Sequence, residues 1–447
     1  MTIGHPSAPH VSRRNVIETR PTDTPEPPTT AHQRRFAALV SSSVFVLLLA
    51  GQFGLERVGL ENPFPVPERV VAALLLVTVL GPAVLAEQRW LPPARRVPGK
   101  RALLAFLAVL LLSTLWSRPS PGLVDAAWDI LIVLIALGLL AVALRVSPQS
   151  VVTSFAVAAL AAGTLYALAG LAAPAARVAA FGGGPNVFAR ITGLGILAAI
   201  FLASREEGRR RGYLLALIPL LVVATVLSGS RGAMAGTLAG LIVLAMTLRR
   251  RAWRRILLWA LPAAPVVVVV YARFGAAVTD SIQTRIIRLT IQERYTSGRT
   301  PLLSSAWEMF LDRPLAGWGL HGFEALHGWG AGVAYPHNLV IQLAAETGLI
   351  GLSAFAVVLI TSALALRRGR WRNPPVAWAL SAATLILVAA QFSGDYYDSR
   401  FGWAFLLIAL TASQTPVTDN RDRRSHPPIV PRAASSAAAA ARPGPAR

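Results

Sequence analysis

The chain has no cysteine among its 447 residues, which excludes disulfides, zinc–thiolate sites, iron–sulfur clusters and a thiol nucleophile. It is also poor in charge: Asp, Glu, Lys and Arg make up 14% of it, against about 25% in a typical soluble domain. Acidic side chains are the scarcer sign, 21 against 43 basic ones, for a net charge of +22. Apolar residues reach 54% and come in long blocks, with the charges confined to the gaps. That pattern excludes an ordinary soluble enzyme and predicts an all-α, polytopic helical membrane protein. Almost every basic residue lies beside an apolar block, where membrane topology accounts for it, so nucleic acid is not an expected partner.

Other absences narrow the chemistry. There is no phosphate-binding Gly-rich loop of the Gly-x-x-x-x-Gly-Lys-Ser/Thr kind and no Gly-x-Ser-x-Gly, which leaves ATP-driven transport and serine hydrolysis unsupported. The first outer loop holds Glu56, Glu61 and Glu68 but no Asp-x-Asp, so no metal site is expected there. Asp395-Tyr396-Tyr397-Asp398 is the nearest carboxylate pair, and it reads as a solvated turn. No resident metal or cofactor is expected, and no internal repeat of the kind found in many transporters is visible.

The apolar blocks predict twelve spans, near residues 36–55, 70–87, 102–117, 123–144, 151–173, 190–204, 213–228, 233–248, 256–273, 345–366, 376–393 and 401–413. Residues 1–35 are polar and lack the apolar run of a signal peptide, so they read as a disordered tail with no cleaved leader. Spans one to nine occupy residues 36–273, a long loop 274–336, the last three spans 337–413, and a second disordered tail 414–447. With both tails inside, 30 of the 43 basic residues fall on the inner side. The charge bias therefore puts both termini in the cytoplasm and the long loop outside a cytoplasmic membrane.

Chemistry is expected at that outer face. Residues 336–366 read as one helix begun by Pro336, about 46 Å long at 1.5 Å per residue, longer than the hydrocarbon core. Its first turns must lie in the interface or tilt, with Gly348 and Gly351 as bend points. Asn338, Gln342 and Glu346 recur every four residues and form one polar stripe, which is costly against lipid. His337, at the positive end of the helix dipole, is kept neutral there and is a candidate general base. The alternative is an interfacial histidine beside a structural polar network. In Ser228-Gly229-Ser230-Arg231-Gly232 a short turn joins two short spans, so Arg231 sits in a recess where a guanidinium can clamp a diphosphate; the alternative is an arginine reaching for headgroups. The long loop adds Arg285, Arg288, Arg294, Arg299 and Arg313, and Arg299 precedes a helical stretch, close to an anion site. Gly182 to Asn186, leading to Arg190, reads as a flexible outer loop re-entering a helix.

Four pieces together resemble the O-antigen ligase and O-antigen polymerase superfamily of bacterial envelope proteins. They are Ser230-Arg231-Gly232, Ser297-Gly298-Arg299, Arg313-Pro314-Leu315-Ala316-Gly317-Trp318-Gly319, and His337-Asn338 followed by Glu346-Thr347-Gly348-Leu349-Ile350-Gly351. The resemblance covers residues 215–366, about a third of the chain. It implies a metal-independent membrane glycosyltransferase acting on the outer side of the cytoplasmic membrane. The implied donor is a glycan on a polyprenyl diphosphate, and the implied acceptor a sugar hydroxyl of a glycan or glycolipid. His337 would activate the hydroxyl, Arg231 and Arg299 would hold the diphosphate, and Asn338, Gln342 and Glu346 would support the site. Ligase and polymerase are not separated by these motifs. A transporter or flippase for an anionic lipid-linked substrate is the alternative from another class, and it expects basic residues along several spans and in both membrane halves.

Overall fold

The computed structural model describes residues 29–50, 67–88, 99–172, 177–247, 264–292, 299–328, 335–367 and 370–414, with residues 63, 254 and 258 singly. Over these residues the chain is helical, with no strand. The helices are α1 (Ala31–Ala50), α2 (Glu68–Gln88), α3 (Lys100–Leu112), α4 (Leu123–Val146), α5 (Pro148–Ala172), α6 (Gly184–Arg205), α7 (Arg209–Ala216), α8 (Ile218–Leu227), α9 (Arg231–Thr247), α10 (Ala264–Ser281), α11 (Thr300–Asp312), α12 (Leu339–Leu366), α13 (Pro374–Ala389) and α14 (Arg400–Ala412). Among the described residues, eight helical stretches are long and apolar enough to cross a bilayer, with α7 and α8 forming one of them; α9, α13 and α14 are shorter apolar helices. The chain is an all-α polytopic membrane protein.

Most expected spans fall on helices, with shifts that have local causes. α1 begins at Ala31, five residues inside the expected tail. Thr30 and Gln33 form a reciprocal cap: Gln33 N donates to Thr30 Oγ1 (3.2 Å) and Thr30 N to Gln33 Oε1 (3.0 Å), satisfying two donors at the helix start. α6 begins at Gly184, not near residue 190, because Pro185 suits a first helical turn. The ninth span is expected at 256–273, and most of residues 256–263 lies outside the described set. α10 runs on to Ser281 and continues as a π-helical stretch, Ile282–Gln292, so the first part of the expected long loop is helix. Residues 1–28 and 415–447 of the tails, Ser297, Gly298, Glu56 and Glu61 lie outside the described residues.

α6 is the central post, buried along nearly its whole length. Small residues let its neighbours approach. A Cβ on Gly163 of α5 would meet the Cα of Gly195 at 2.9 Å, and one on Gly240 of α9 would meet the Ser381 carbonyl of α13 at 2.8 Å. Such close backbone approach is the usual means of packing helices where lipid supplies no hydrophobic drive. α14 is buried on almost every side, wedged by aromatics: Trp378 against Phe405 at 5.2 Å and Phe106 against Trp403 at 5.3 Å. By contrast α10 touches mainly α8 and leaves Val267, Val268 and Val269 exposed, a face suited to lipid. The α8–α9 turn, the start of α11 and the start of α12 gather at one end of the bundle.

Candidate functional site

His337 sits at a tight corner. Proline Pro336 is buried on one side, and on the other Asn338 caps α12 with its side chain, accepting from Ile341 N at 3.0 Å. His337 itself has φ 62°, a left-handed conformation rare outside glycine. The corner is tied to the α13 end, where Leu339 N donates to Ala390 O (3.1 Å) and Asn338 Nδ2 to Gln391 O (3.0 Å). The expected helix start at Pro336 is therefore corrected to Leu339, because the cap and the left-handed corner end the helix there. Burial, and after it the Arg299 charge, push the His337 pKa below its ordinary value, while Asp398 opposes them. The neutral imidazole expected from the helix dipole is favoured, but by desolvation and a guanidinium. Tyr335 stands edge-on to the imidazole with ring centres 4.5 Å apart.

Beside this corner lies a group of arginines. The Ser228–Ser230 turn is recessed, both serines being buried, and it is held from within: Ser230 N donates to Ser228 Oγ (3.1 Å). Ser230 Oγ donates to Asn186 Oδ1 and Asn186 Nδ2 to Ser393 Oγ, both at 2.8 Å, which joins the α6 start, the α9 start and the α13 end. Arg231 opens α9. Arg177 Nε donates to Ser228 O (3.1 Å), and the Arg285 side chain packs over Gly229, whose φ of 62° and missing Cβ make room. Burial and the charges of Arg285, Arg299 and Arg231 depress the Arg177 pKa, and burial with Arg231 depresses that of Arg299. Four guanidiniums thus share one electrostatic field, with Arg299 linking it to His337. Arg231 and Arg299 are the expected diphosphate pair, and Arg285 lies in the expected basic loop. Arg177 is an addition from the structure; its one signal in the sequence is a basic residue on the side where the charge bias disfavours one.

The 395–398 turn is the main correction. It is not a solvated turn: Tyr396 and Ser399 are buried, and Asp398 pairs with buried Arg190 (Nη1 to Oδ2, 3.4 Å) and with Arg400 at 4.0 Å. Asp398 N donates to Asp395 Oδ1 at 2.7 Å. Burial, then the neighbouring Asp398, raise the Asp395 pKa to about 6. The same two carboxylates, after burial, raise that of Tyr335. Arg190 is thus not an adjunct of a loose loop but, with Arg400, compensates this turn. No group of three His, Asp or Glu side chains is placed to hold a metal ion among the described residues.

The polar stripe on α12 faces protein. Gln342 and Glu346 are 1% and 0% exposed. The Glu346 carboxylate accepts from Tyr396 Oη (2.8 Å), Phe323 N (3.3 Å) and Gln342 Nε2 (3.4 Å). Two residues on, α12 breaks: Gly348 has φ 59° and ψ −153°, outside the helical region. An unbroken helix would spend the N–H groups of Leu349 and Ile350 on the carbonyls of Ala345 and Glu346. Here residues 314–319 take up all four groups. Leu349 N donates to Pro314 O (2.8 Å) and Ile350 N to Leu315 O (3.1 Å); Trp318 N donates to Ala345 O (3.0 Å) and Gly319 N to Glu346 O (2.7 Å). Of the two expected bend points Gly348 is the break, and Gly351 stays helical against Thr347. Beyond the break, residues 349–366 rise about 27 Å, close to the hydrocarbon thickness.

The fold and this end of the bundle define a helical membrane protein whose conspicuous chemistry is a neutral-leaning histidine beside clustered arginines. Residues 214–356, about a third of the chain, match the family model described as O-Antigen ligase, and the match supports the O-antigen ligase and polymerase superfamily. It takes in Arg231, Arg285, Arg299, His337 and Glu346, whereas Arg177, Arg190 and Asp398 lie outside it. No curated protein and no solved structure matches the chain.

Proposed function

We propose that the protein transfers a glycan from a polyprenyl diphosphate carrier to an acceptor sugar hydroxyl at the outer face of the cytoplasmic membrane. The observation that carries this reading is the half-buried His337, biased to its neutral form, at the edge of the arginine group. The acceptor O–H attacks the anomeric carbon of the donor sugar, His337 takes the proton, and the bond from that carbon to the diphosphate oxygen breaks. Arg231 and Arg299, with Arg177 and Arg285 beside them, bind the diphosphate and stabilise the charge that grows on it as it leaves. Asn338 fixes the His337 corner, and Gln342 and Glu346 support it from within α12. The reading needs no metal or cofactor. The bias of basic residues supports cytoplasmic termini and an outward site.

A transporter or flippase for a lipid-linked anion needs basic groups along its path, whereas these four arginines gather at one end of the bundle. The test is purified protein with a polyprenyl-diphosphate-linked oligosaccharide, alone and with candidate acceptors, products read by mass. A ladder from donor alone identifies a polymerase, and product only with a separate acceptor a ligase. Donor binding without turnover in either arm would refute transfer and favour transport.

A further inference from the structure

We infer that the hydrogen-bonded clasp between residues 314–319 and the break at Gly348 is a positioning device, fixing α11 and its leading Arg299 against the segment of α12 that begins beside His337. The two groups come from separate elements. Arg299 is the residue before α11, and His337 stands two residues before α12. α11 is seated on residues 339–347 of α12 by a small apolar cluster of its own, Ala306 and Met309 against Phe323 and Ala345, apart from the main core. Such a small cluster leaves sliding and tilting weakly opposed, since apolar contact is non-directional.

The clasp supplies direction. Its four backbone hydrogen bonds require the helix break, because an intact helix would have used the same groups internally. Both sides of the contact require glycine: a Cβ on Gly317 (φ 65°) would meet the Glu346 carbonyl carbon, and one on Gly348 would meet the carbonyls of Leu315 and Pro314. Trp318 then locks the contact to α11. Its Nε1 donates to Met309 O (3.1 Å), and its ring lies under the guanidiniums of Arg313 (3.8 Å) and Arg118 (4.7 Å). Trp116 Nε1 donates to Ala316 O (3.1 Å), which ties the same loop to the turn Ser113–Trp116 that follows α3. Gly317, Trp318 and Gly348 touch no reacting group and act through Arg299 and His337.

The absence of cysteine makes a direct test practicable. Spin labels at Glu308→Cys on α11 and Val340→Cys on α12, both exposed, report one distance by pulsed EPR. We expect a narrow distribution in the otherwise wild-type protein and in a Gly138→Ala control, since Gly138 has open space around it. Gly317→Ala, Gly348→Ala and the milder Trp318→Phe, which keeps the ring and loses the donor to Met309, should broaden it. Because a misplacement of about 1 Å can cost about a hundredfold in rate, kcat should fall by that order, and by more than the donor KM rises, since Arg231, Arg177 and Arg285 still hold the diphosphate. The acid limb of the rate profile should also move up, as His337 is released from Arg299 while Asp398 and Tyr335 still face it. An unchanged distance in all three variants, or a broadened distance with wild-type kcat and acid limb, would overturn the inference. The kinetic arm rests on the transfer reading; if the wild-type protein transfers nothing, that reading fails and the EPR comparison still decides the clasp.

Discussion

Glu346 is the buried charge on which a supporting role and a chemical role part company. The partners of its carboxylate are donors: the Tyr396 hydroxyl, the Phe323 amide and the Gln342 side-chain amide, with the His321 backbone N–H beside them. Glu346→Ala leaves the first two as buried orphans, at about 1–3 kcal/mol each, so the variant should lose about 2–6 kcal/mol of stability. Glu346→Gln is different. Its oxygen can still accept from Phe323 N, and its amide can donate to a rotated Tyr396 hydroxyl and to Gln342 Oε1, which has no partner among the described residues. The loss should then be about 1 kcal/mol, the size of one imperfect hydrogen bond. Denaturant unfolding of the purified protein in detergent, followed by a transfer assay on the folded fraction, measures both. The expected order is wild type, then Gln just below it, then Ala well below, with Gln retaining most of the transfer rate. A folded Glu346→Gln protein with no transfer would refute support and make the carboxylate a reacting group.

Four further outcomes follow from the same site. Because burial and Arg299 hold the His337 pKa below its ordinary 6.5, the base stays neutral down to lower pH. The acid limb of kcat/KM should lie below that value, and Arg299→Gln should move it upward, read from the pH–rate profile of whatever transfer remains. Arg231→Lys should sharply weaken donor binding although the charge is kept, since an ammonium cannot form the planar fork; an unchanged donor affinity would count against the clamp. Asn338→Asp should keep the helix cap but lose the donor to Gln391 O, and Asn338→Ala should lose both, costing about 1 kcal/mol more in an unfolding titration. Transfer should survive chelation, and inhibition by EDTA that a divalent ion reverses would contradict the metal-free mechanism.

The local part of this architecture was legible in the sequence, and the long-range part was not. A four-residue spacing is enough to align Gln342 with Glu346, and the cost of polar groups against lipid turns that stripe inward. Gly348 and Gly351 are both expected bend points because a continuous helix from Pro336 is too long for the bilayer, and only Gly348 breaks the helix. What the helix does at that bend depends on residues 314–319, and no periodicity announces that pairing. The cap Thr30-x-x-Gln33 was readable, since its two partners are local, yet the expected tail ran past it. The 395–398 turn misled because acids next to a span end look solvated. Of its compensating cations, Arg190 belongs to α6 and is distant in sequence. Arg177 was hidden for the same reason, being brought to the site by its bond to Ser228 and not by any motif of its own.

The most direct test of the account is to compare wild-type protein with His337→Ala, measuring donor binding and glycan transfer on the same purified samples. The imidazole stands edge-on to Tyr335 at a corner fixed by Asn338, so the variant should fold and bind the polyprenyl-diphosphate donor with near wild-type affinity. Transfer should be abolished. Transfer by His337→Ala at near wild-type rate would contradict His337 as the base, and with it the account of how this end of the bundle works.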